Sequence, residues 1–187
     1  MAMSAAILVL ALQMMALRSW AQRTASPAPG WAQRLETGTG TMTNLQFYFH
    51  DTFSGSNPSA VRVAEARDTD NSLTLFGALV MVDDPLTEGI SPSSKLVGRG
   101  QGLYGSAGQS EVAFLMAMSF CFLDGVYNGS CLSVLGKNAA LNYEREMPIV
   151  GGTGLLRFAR GYALAQTQMA NPINGDAIVW YNVTVFN

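Results

Sequence analysis

Apolar and polar residues alternate with a period of two from residue 45 onward, and this pattern is typical of β-strands that bury one face. The first segment shows it most clearly. One of its faces carries Leu45, Phe47, Phe49 and Asp51, and the other carries Gln46, Tyr48 and His50. The segment therefore predicts a strand with an aromatic inner face that ends in an acid.

Eight further segments with strand character follow along the chain. They lie at 60–66, 73–83, 96–104, 111–123, 130–135, 144–148, 155–167 and 177–186. Gly, Ser, Asn and Pro fill nearly every gap, and Asp83-Asp84-Pro85 reads as a turn that ends the strand before it. No segment combines helical periodicity with capping residues. Short strands at this spacing favour a barrel or a sandwich, and a closed barrel of about eight strands can hold one small ligand.

The N-terminal region has a different pattern. Residues 5–17 form an apolar stretch of thirteen residues, which is too short to span a bilayer. Ser19-Trp20-Ala21 follows it and fits a small-x-small cleavage site. We therefore predict a signal peptide at 1–21, a flexible segment at 22–43 and one folded domain at 44–187. This arrangement predicts a secreted protein with no membrane span.

Charge and composition narrow the range of partners. Charged residues make up 13% of the chain, the net charge is −2, and no run of basic residues exceeds two. Binding to nucleic acid needs clustered Lys and Arg, so the sequence excludes it as a main function. Two Asn-x-Ser/Thr sequons, at Asn128 and Asn182, predict glycosylation on a secretory route.

The sequence lacks the residue patterns of common catalytic centres. Its one histidine, His50, comes with no Gly-x-Ser-x-Gly elbow, and no Cys and His spacing fits a zinc site. We therefore predict neither a metal nor a cofactor. Cys121 and Cys131 lie ten residues apart and could form a disulfide if they flank a hairpin. Two buried free thiols are the favoured interpretation, because sequence does not establish the geometry of a disulfide.

A few polar residues stand within apolar strands, namely Asp51, Tyr104 and Arg145. Each taken alone has an ordinary structural explanation, as a strand-end acid, a core tyrosine or a solvated ion pair. A carboxylic acid inside an apolar cavity would have a raised pKa and could donate a proton near neutral pH. Gly98, Gly100 and Gly102 share a strand face with Tyr104, which indicates either space for a ligand or a strand bend at a barrel corner.

From about Asn44 to the C-terminus the chain resembles the plant dirigent proteins. Its opening strand, Asn-Leu-Gln-Phe-Tyr-Phe-His-Asp at 44–51, is similar to the opening strand of that family. Further blocks follow in order: Asp-Asp-Pro-Leu-Thr at 83–87, Val-Gly-Arg-Gly-Gln-Gly-Leu-Tyr at 97–104, Arg-Glu-Met-Pro-Ile-Val-Gly-Gly-Thr-Gly at 145–154 and Tyr-Asn-Val-Thr-Val at 181–185.

The resemblance implies an all-β fold, an eight-stranded antiparallel barrel exported to the apoplast and assembled as a homo-oligomer, usually a trimer. It implies phenolic ligands, such as monolignol radicals supplied by a separate laccase or peroxidase, and no cofactor. The protein would then fix the face on which the radicals couple, as in lignan formation. The resemblance gives catalytic roles to Asp51, Tyr104 and Arg145. Substrate-binding roles are expected for Phe47, Phe49, Asn138, Gly100 and Gly102.

The chain departs from the lignan-forming members at one position. Those members typically carry an Asp in a Gly-Ala-Asp-Pro segment, where this chain has Gly136-Lys137-Asn138-Ala139. Asn138 cannot exchange a proton as a carboxylic acid does, so this chain is closer to the pterocarpan-synthase-like members. The leading hypothesis is stereoselective coupling of phenoxy radicals. The alternatives are a dehydratase that acts through a quinone methide and a phenolic-binding defence protein of the cell wall.

Overall fold

The computed structural model describes residues 30–37 and 40–187, and side chains for residues 30–32 and 40–187. The described residues form ten β-strands and three short 3₁₀ turns. The strands are β1 Ala32–Thr37, β2 Gly40–Asp51, β3 Ala60–Ala64, β4 Leu79–Thr87, β5 Leu96–Ser106, β6 Ala113–Phe122, β7 Cys131–Ala139, β8 Arg145–Gly152, β9 Arg160–Ala170 and β10 Ala177–Phe186. The turns are Thr69–Asn71, Gly125–Tyr127 and Gly154–Leu156.

Eight of these strands close into an antiparallel barrel. Neighbouring strands pair in the order β2, β10, β9, β8, β7, β6, β5, β4, and β4 returns to β2. The closing contact is short, since it consists of the pairs Tyr48 with Thr87 and Phe49 with Leu86. Strand β1 continues the edge of β2 and β3 continues the edge of β4, one on each side of this seam. The predicted all-β, eight-stranded antiparallel barrel is confirmed.

Alternation along the strands builds the interior. In β2 the side chains of Leu45, Phe47 and Phe49 are buried, as the period of two predicts. An aromatic cluster fills the middle of the barrel, where Tyr181 lies 5.7 Å from Phe47 and 5.1 Å from Phe120 between ring centroids. Such pairs stabilise a core beyond the apolar area they bury. The cluster forms a solid floor beneath one end of the barrel.

The opposite end is closed by residues around Trp31. Its ring lies 5.3 Å from that of Phe122, and its Nε1 donates a hydrogen bond of 3.1 Å to Oδ2 of Asp124. Trp31 precedes β1, and β1 with the start of β2 lies inside the segment 22–43 that the sequence analysis treats as flexible. The predicted signal peptide at 1–21 lies outside the described residues.

Several strand boundaries differ from the predictions. Residues 73–78 form turns, and β4 begins at Leu79 and runs through Asp83-Asp84-Pro85 instead of ending there. Pro85 is accommodated in β4 opposite Arg99 of β5. The segment predicted at 155–167 begins with the turn Gly154–Leu156, and β9 starts at Arg160. Apolar turn residues caused both errors, because hydrophobicity alone does not separate a buried turn from a strand.

The two cysteines form a disulfide, so the favoured interpretation of free thiols is wrong. Cys121 ends β6 and Cys131 begins β7, and the register of this hairpin places them directly opposite each other. Their Cα atoms are 4.1 Å apart. A β-hairpin register that the sequence could not specify is what brings the sulfur atoms together.

No helix among the described residues is long and apolar enough to cross a membrane.

Candidate functional site

A cavity of about 430 Å³ opens at the end of the barrel above the aromatic floor. It lies between the last residues of β2, β5, β7 and β9 and the first residues of β6, β8 and β10, because antiparallel strands bring these termini to one end. Its lining includes Phe49, Asp51, Tyr104, Phe114, Met116, Asn138, Arg145, Thr167, Val179 and Tyr181. The lining is mostly apolar with a few polar groups, as in small-molecule sites.

Asp51 and Tyr104 form the first polar pair. The Tyr104 hydroxyl donates a hydrogen bond of 2.8 Å to Oδ2 of Asp51. Burial raises the pKa of Asp51 to about 6, against the Tyr104 hydrogen bond that lowers it, and the charge of Asp176 adds to the rise. Burial also raises the pKa of Tyr104, so its hydroxyl remains a donor. An acid poised in this range can both give and take a proton near neutral pH.

Arg145 and Asn138 form the second polar pair. Nε of Arg145 donates to Oδ1 of Asn138 at 3.1 Å, and both side chains are buried. Burial lowers the pKa of Arg145, which nevertheless stays far above neutral pH. Among the described residues no carboxylate lies within ion-pair distance of Arg145. The cavity therefore holds the positive charge of Arg145. Among the described residues, the only side chain bonded to this guanidinium is the neutral amide of Asn138.

A second cavity, of about 390 Å³, adjoins the first. It lies beside β3 and β4, and its own lining includes Phe53, Arg62, Leu75, Val80 and Ser106. The two cavities share Asp51, Tyr104, Phe114 and Ala177 as lining residues. The Asp51–Tyr104 pair thus stands in the wall between two lobes of one larger cavity.

Asp84 is a buried acid that the sequence analysis missed. It lies on β4, and its side chain is fully buried on the inner face with Val82 and Leu86. Burial raises the pKa of Asp84 to about 8, and the charge of Asp51 raises it further. The sequence contains the signal, since Val80, Val82, Asp84 and Leu86 alternate. The assignment of Asp83-Asp84-Pro85 to a turn concealed it.

The structure brings together five of the residues predicted for the site. Asp51, Tyr104, Arg145, Phe49 and Asn138 all line the first cavity. Their predicted roles in catalysis and binding remain predictions.

Three other predicted residues do not line either cavity. Phe47 lies in the aromatic floor and is fully buried. A Cβ atom on Gly100 would lie 2.6 Å from the Phe49 ring, so this glycine makes room for a core side chain. Gly102 has a φ of +149°, and its Cβ would lie 2.3 Å from the carbonyl oxygen of Ala117. Between the two interpretations of the glycine run, the contacts favour close packing of strands over space for a ligand.

The two sequons lie away from the cavities. Asn128 is exposed and directly follows the turn Gly125–Tyr127. Asn182 is partly buried within β10, and its Oδ1 accepts a hydrogen bond of 2.6 Å from Nδ2 of Asn44. Their glycosylation remains a prediction. Among the side chains described, those of residues 30–32 and 40–187, no group of three or more His, Cys, Asp or Glu is placed to hold a metal ion.

Comparison with known proteins yields matches over most of the chain. The family model described as Dirigent-like protein matches residues 42–186. Dirigent protein 23 of Arabidopsis thaliana is 63% identical over 158 residues, which cover 84% of each chain. Pterocarpan synthase 1 of Glycyrrhiza echinata is 49% identical over 78% of each chain.

A solved structure gives the same result for the fold. The structure of the pterocarpan synthase dirigent protein GePTS1 superposes with a TM-score of 0.75 at 48% identity. The match covers 82% of this chain and 88% of the other. The barrel is therefore shared between the two proteins, and the sequence resemblance is confirmed over its whole extent.

Proposed function

Because this chain belongs to the dirigent-like protein family, we propose that it binds phenolic intermediates in its barrel and fixes the face on which they form a new bond. The leading substrates are phenylpropanoid radicals, such as those of coniferyl alcohol, which a separate laccase or peroxidase would supply. The observation that carries the proposal is the position of Asp51. It is a buried acid, held by Tyr104, in the wall between two apolar lobes.

Two lobes suit a reaction that joins two phenolic units. One unit would occupy each lobe, and apolar and aromatic walls would hold the rings in one relative orientation. Holding reactants in one geometry supplies selectivity through positioning, without requiring the protein to make or break a bond by itself. The aromatic residues Phe49, Phe114 and Tyr181 provide ring contacts in the first lobe.

Asp51 would act after the radicals have coupled. Coupling of two phenoxy radicals gives a quinone methide, whose ring closure requires that its carbonyl oxygen gain a proton and that a hydroxyl group lose one. Asp51 would give the first proton and take the second, so that it ends in its starting state. With a pKa of about 6, the Asp51 carboxyl is suited to both transfers.

Arg145 would bind the phenol or phenolate oxygen in the first lobe. Its guanidinium is buried, lines the cavity, and is paired with a neutral amide, so its charge is available to an incoming oxygen anion. A phenolic oxygen bound there and a reacting oxygen near Asp51 would fix both ends of one substrate. The two polar pairs would in this way select the face of ring closure.

The test is chiral chromatography of the lignans formed from coniferyl alcohol by a laccase, with and without the mature protein. An excess of one enantiomer that depends on the protein would support the proposal. The matched variant is Asp51→Asn, which keeps the shape and removes the exchangeable acid, and we expect either lower selectivity or a turnover reduced by about 10²-fold or more. A racemic product with the unmodified protein would contradict coupling of monolignols.

A second candidate function is a dehydratase that forms a quinone methide from an isoflavanol. Asn138 favours it, because the first lobe then contains one exchangeable acid, and loss of water from a benzylic alcohol needs only one. Two relatives named pterocarpan synthase also support it. Asp51 would protonate the leaving hydroxyl, and the conjugated ring phenol would lose its proton as water departs, which gives the quinone methide. The second phenol of the isoflavanol would then add to it and lose its proton, while the quinone methide oxygen regains one. Product from an isoflavanol without any oxidase would favour this function over radical coupling.

We also propose that the protein is secreted and forms a homo-oligomer, with a trimer as the first expectation. The support for the homo-oligomer is a row of apolar side chains on the outer face of the barrel. They are paired in register across five strands and comprise Val61, Met81, Leu103, Ala117 and Leu135. Val61, Met81 and Leu135 are about half exposed. Light scattering should give a trimer, and Met81→Lys with Leu135→Lys should give a monomer with the barrel intact.

A further inference from the structure

We propose that Asp84 is a positioning residue for Asp51: its carboxyl group keeps a proton and donates it in a hydrogen bond to Oδ1 of Asp51. The role of this hydrogen bond in turnover rests on the proposed function, but the hydrogen bond itself does not. In the reaction Asp84 transfers no proton to substrate. It holds the Asp51 carboxyl in one orientation and determines the pH range in which Asp51 exchanges its own proton.

The strand register brings the two acids to the same end of the seam between β2 and β4, and the charge of Asp51 acts on Asp84. Strands β2 and β4 pair at Tyr48 with Thr87 and at Phe49 with Leu86. Asp51 and Asp84 each lie two residues beyond the last of these pairs, Asp51 at the end of β2 and Asp84 within β4. Next to Asp84, the N–H of Asp83 donates to the carbonyl oxygen of Ser59, which lies between the end of β2 and β4. Both residues fall on the inner face by alternation, Asp51 after Phe49 and Asp84 before Leu86. Across the other edge of β4, the residue opposite Asp84 is Gly100, so no side chain of β5 stands beside Asp84.

Among the described residues, both acids have buried oxygen atoms that no neighbouring donor is seen to satisfy. Oδ1 of Asp51 and both side-chain oxygens of Asp84 are buried without a hydrogen-bond partner there. None of the nearby donors reaches Oδ1 of Asp51. The Tyr104 hydroxyl donates to Oδ2 of Asp51, and Nε of Arg99 donates to Oδ1 of Asp83. The Ser59 hydroxyl lies 3.3 Å from the carbonyl oxygen of His50 and, when it turns to Asp84, serves that acid and not Oδ1 of Asp51. A proton carried by one of the acids themselves would supply the missing donor.

The charges around Asp84 favour Asp84 as the acid that carries it. Burial is the largest cause of its raised pKa, followed by the charge of Asp51, and the charge of Asp83 adds a smaller rise. The nearby Ser59 hydroxyl and the charge of Arg99 oppose these effects without overcoming them. Asp51, by contrast, lines both cavities and has the lower pKa. Asp84 therefore stays neutral over the pH range in which Asp51, the acid at the cavity, titrates.

The test is a ¹³C NMR titration of the side-chain carboxyl groups in the full mature protein without substrate. We expect Asp51 to titrate near 6 and Asp84 near 8. In Asp84→Leu, Asp51 loses its donor, and its pKa should rise by about one unit or more. In Asp84→Asn the side-chain amide can donate instead, so Asp51 should titrate close to the unmodified value. The control is Asp83→Asn, which alters the neighbouring outward-facing acid and should leave Asp51 unchanged.

A reciprocal variant keeps the test decisive if Asp84→Leu does not fold. In Asp51→Asn the charge that raises the pKa of Asp84 is gone, so Asp84 should titrate lower than in the unmodified protein. Titration of Asp84 near the ordinary carboxyl range, or no response of either acid to substitution of the other, would overturn the proposal. These readings need no substrate and remain valid even if the proposed function fails.

The consequence for turnover is a separate measurement. If Asp84 must stay protonated, activity should fall as pH rises through about 8, where the Asp84 carboxyl ionises beside Asp51. This alkaline loss should be absent from Asp84→Asn, which cannot ionise there, and present in Asp83→Asn. A merely structural role for Asp84 would change the amount of folded protein without moving the pH profile.

Discussion

Arg145 donates from Nε to Oδ1 of Asn138 across the β7–β8 end of the barrel, and the 3.1 Å hydrogen bond is buried. Asn138 in turn donates from Nδ2 to Sδ of Met116 at 3.7 Å. The asparagine is therefore fixed by contacts on both ends of its amide. The residue type that separates this chain from the lignan-forming pattern is also the neutral partner of the buried charge in the cavity.

Two substitutions of Asn138 should change the free energy of unfolding in opposite directions. In Asn138→Ala, Nε of Arg145 loses its acceptor, and we expect the free energy of unfolding to fall by about 1–3 kcal/mol. In Asn138→Asp the buried guanidinium gains a carboxylate without any change in side-chain size, so unfolding should become harder than in the unmodified protein at pH 7. Urea denaturation measures both. Equal stabilities for the two variants would contradict the importance of the hydrogen bond.

The Tyr104 hydroxyl should control the titration of Asp51. Its hydrogen bond lowers the pKa of Asp51 against the effect of burial, so Tyr104→Phe should raise that pKa above about 6. The limb of the activity profile that reports Asp51 should then move to higher pH. Tyr181→Phe is the control, because it removes a hydroxyl from the same cavity without removing a hydrogen bond to Asp51. An identical shift in both variants would refute the assignment to Tyr104.

The inner face of β2 shows what sequence can predict. Phe47, Phe49 and Asp51 alternate, and the barrel places all three side chains inside. The resemblance then identifies which polar residues meet in the cavity. The sequence could not predict that Phe47 lies in the aromatic floor while Phe49 lines the cavity. Both residues follow the same alternation, and only their height along the barrel axis differs. Height depends on how neighbouring strands are staggered, which is a property of the closed sheet.

Stability should fall as pH rises between about 6.5 and 8. The folded-state pKa of Asp84 is about 8, far above that of an ordinary carboxyl, so folded protein binds this proton more tightly than unfolded protein does. Its stabilising effect is present at low pH and is lost as pH approaches 8. His50, whose pKa is lowered by burial, has the opposite slope, but only below its ordinary pKa of about 6.5.

Thermal unfolding at several pH values in this range measures the slope. The matched variant is Asp84→Asn, in which the proton-linked slope should be much smaller whatever its absolute stability. The same slope in both proteins would mean that another group is responsible.

The disulfide should stabilise the barrel without affecting the site. Cys121 and Cys131 lie at the end of the β6–β7 hairpin away from the cavity, whereas Asn138 lies at the other end. The double variant Cys121→Ser, Cys131→Ser should lower the free energy of unfolding by about 2–4 kcal/mol. The Asp51 titration should not move.

A neighbouring pair offers the control for that measurement. Ser119 and Ser133 face each other in the same hairpin without a covalent link, so Ser119→Ala with Ser133→Ala should have a much smaller effect on unfolding. Comparable losses from both double variants would show that local packing, and not the cross-link, stabilises the hairpin.

The Asp51–Tyr104 pair lies in the partition that both lobes share. The residues that give each lobe its shape are therefore separate from this polar pair. Arg62, Leu75 and Val80 line one compartment alone, while Asn138, Thr167 and Val179 line the other alone. Substitutions in either set can reshape one lobe while the Asp51–Tyr104 pair stays intact. In a lineage of such barrels the two lobes can therefore change shape one at a time.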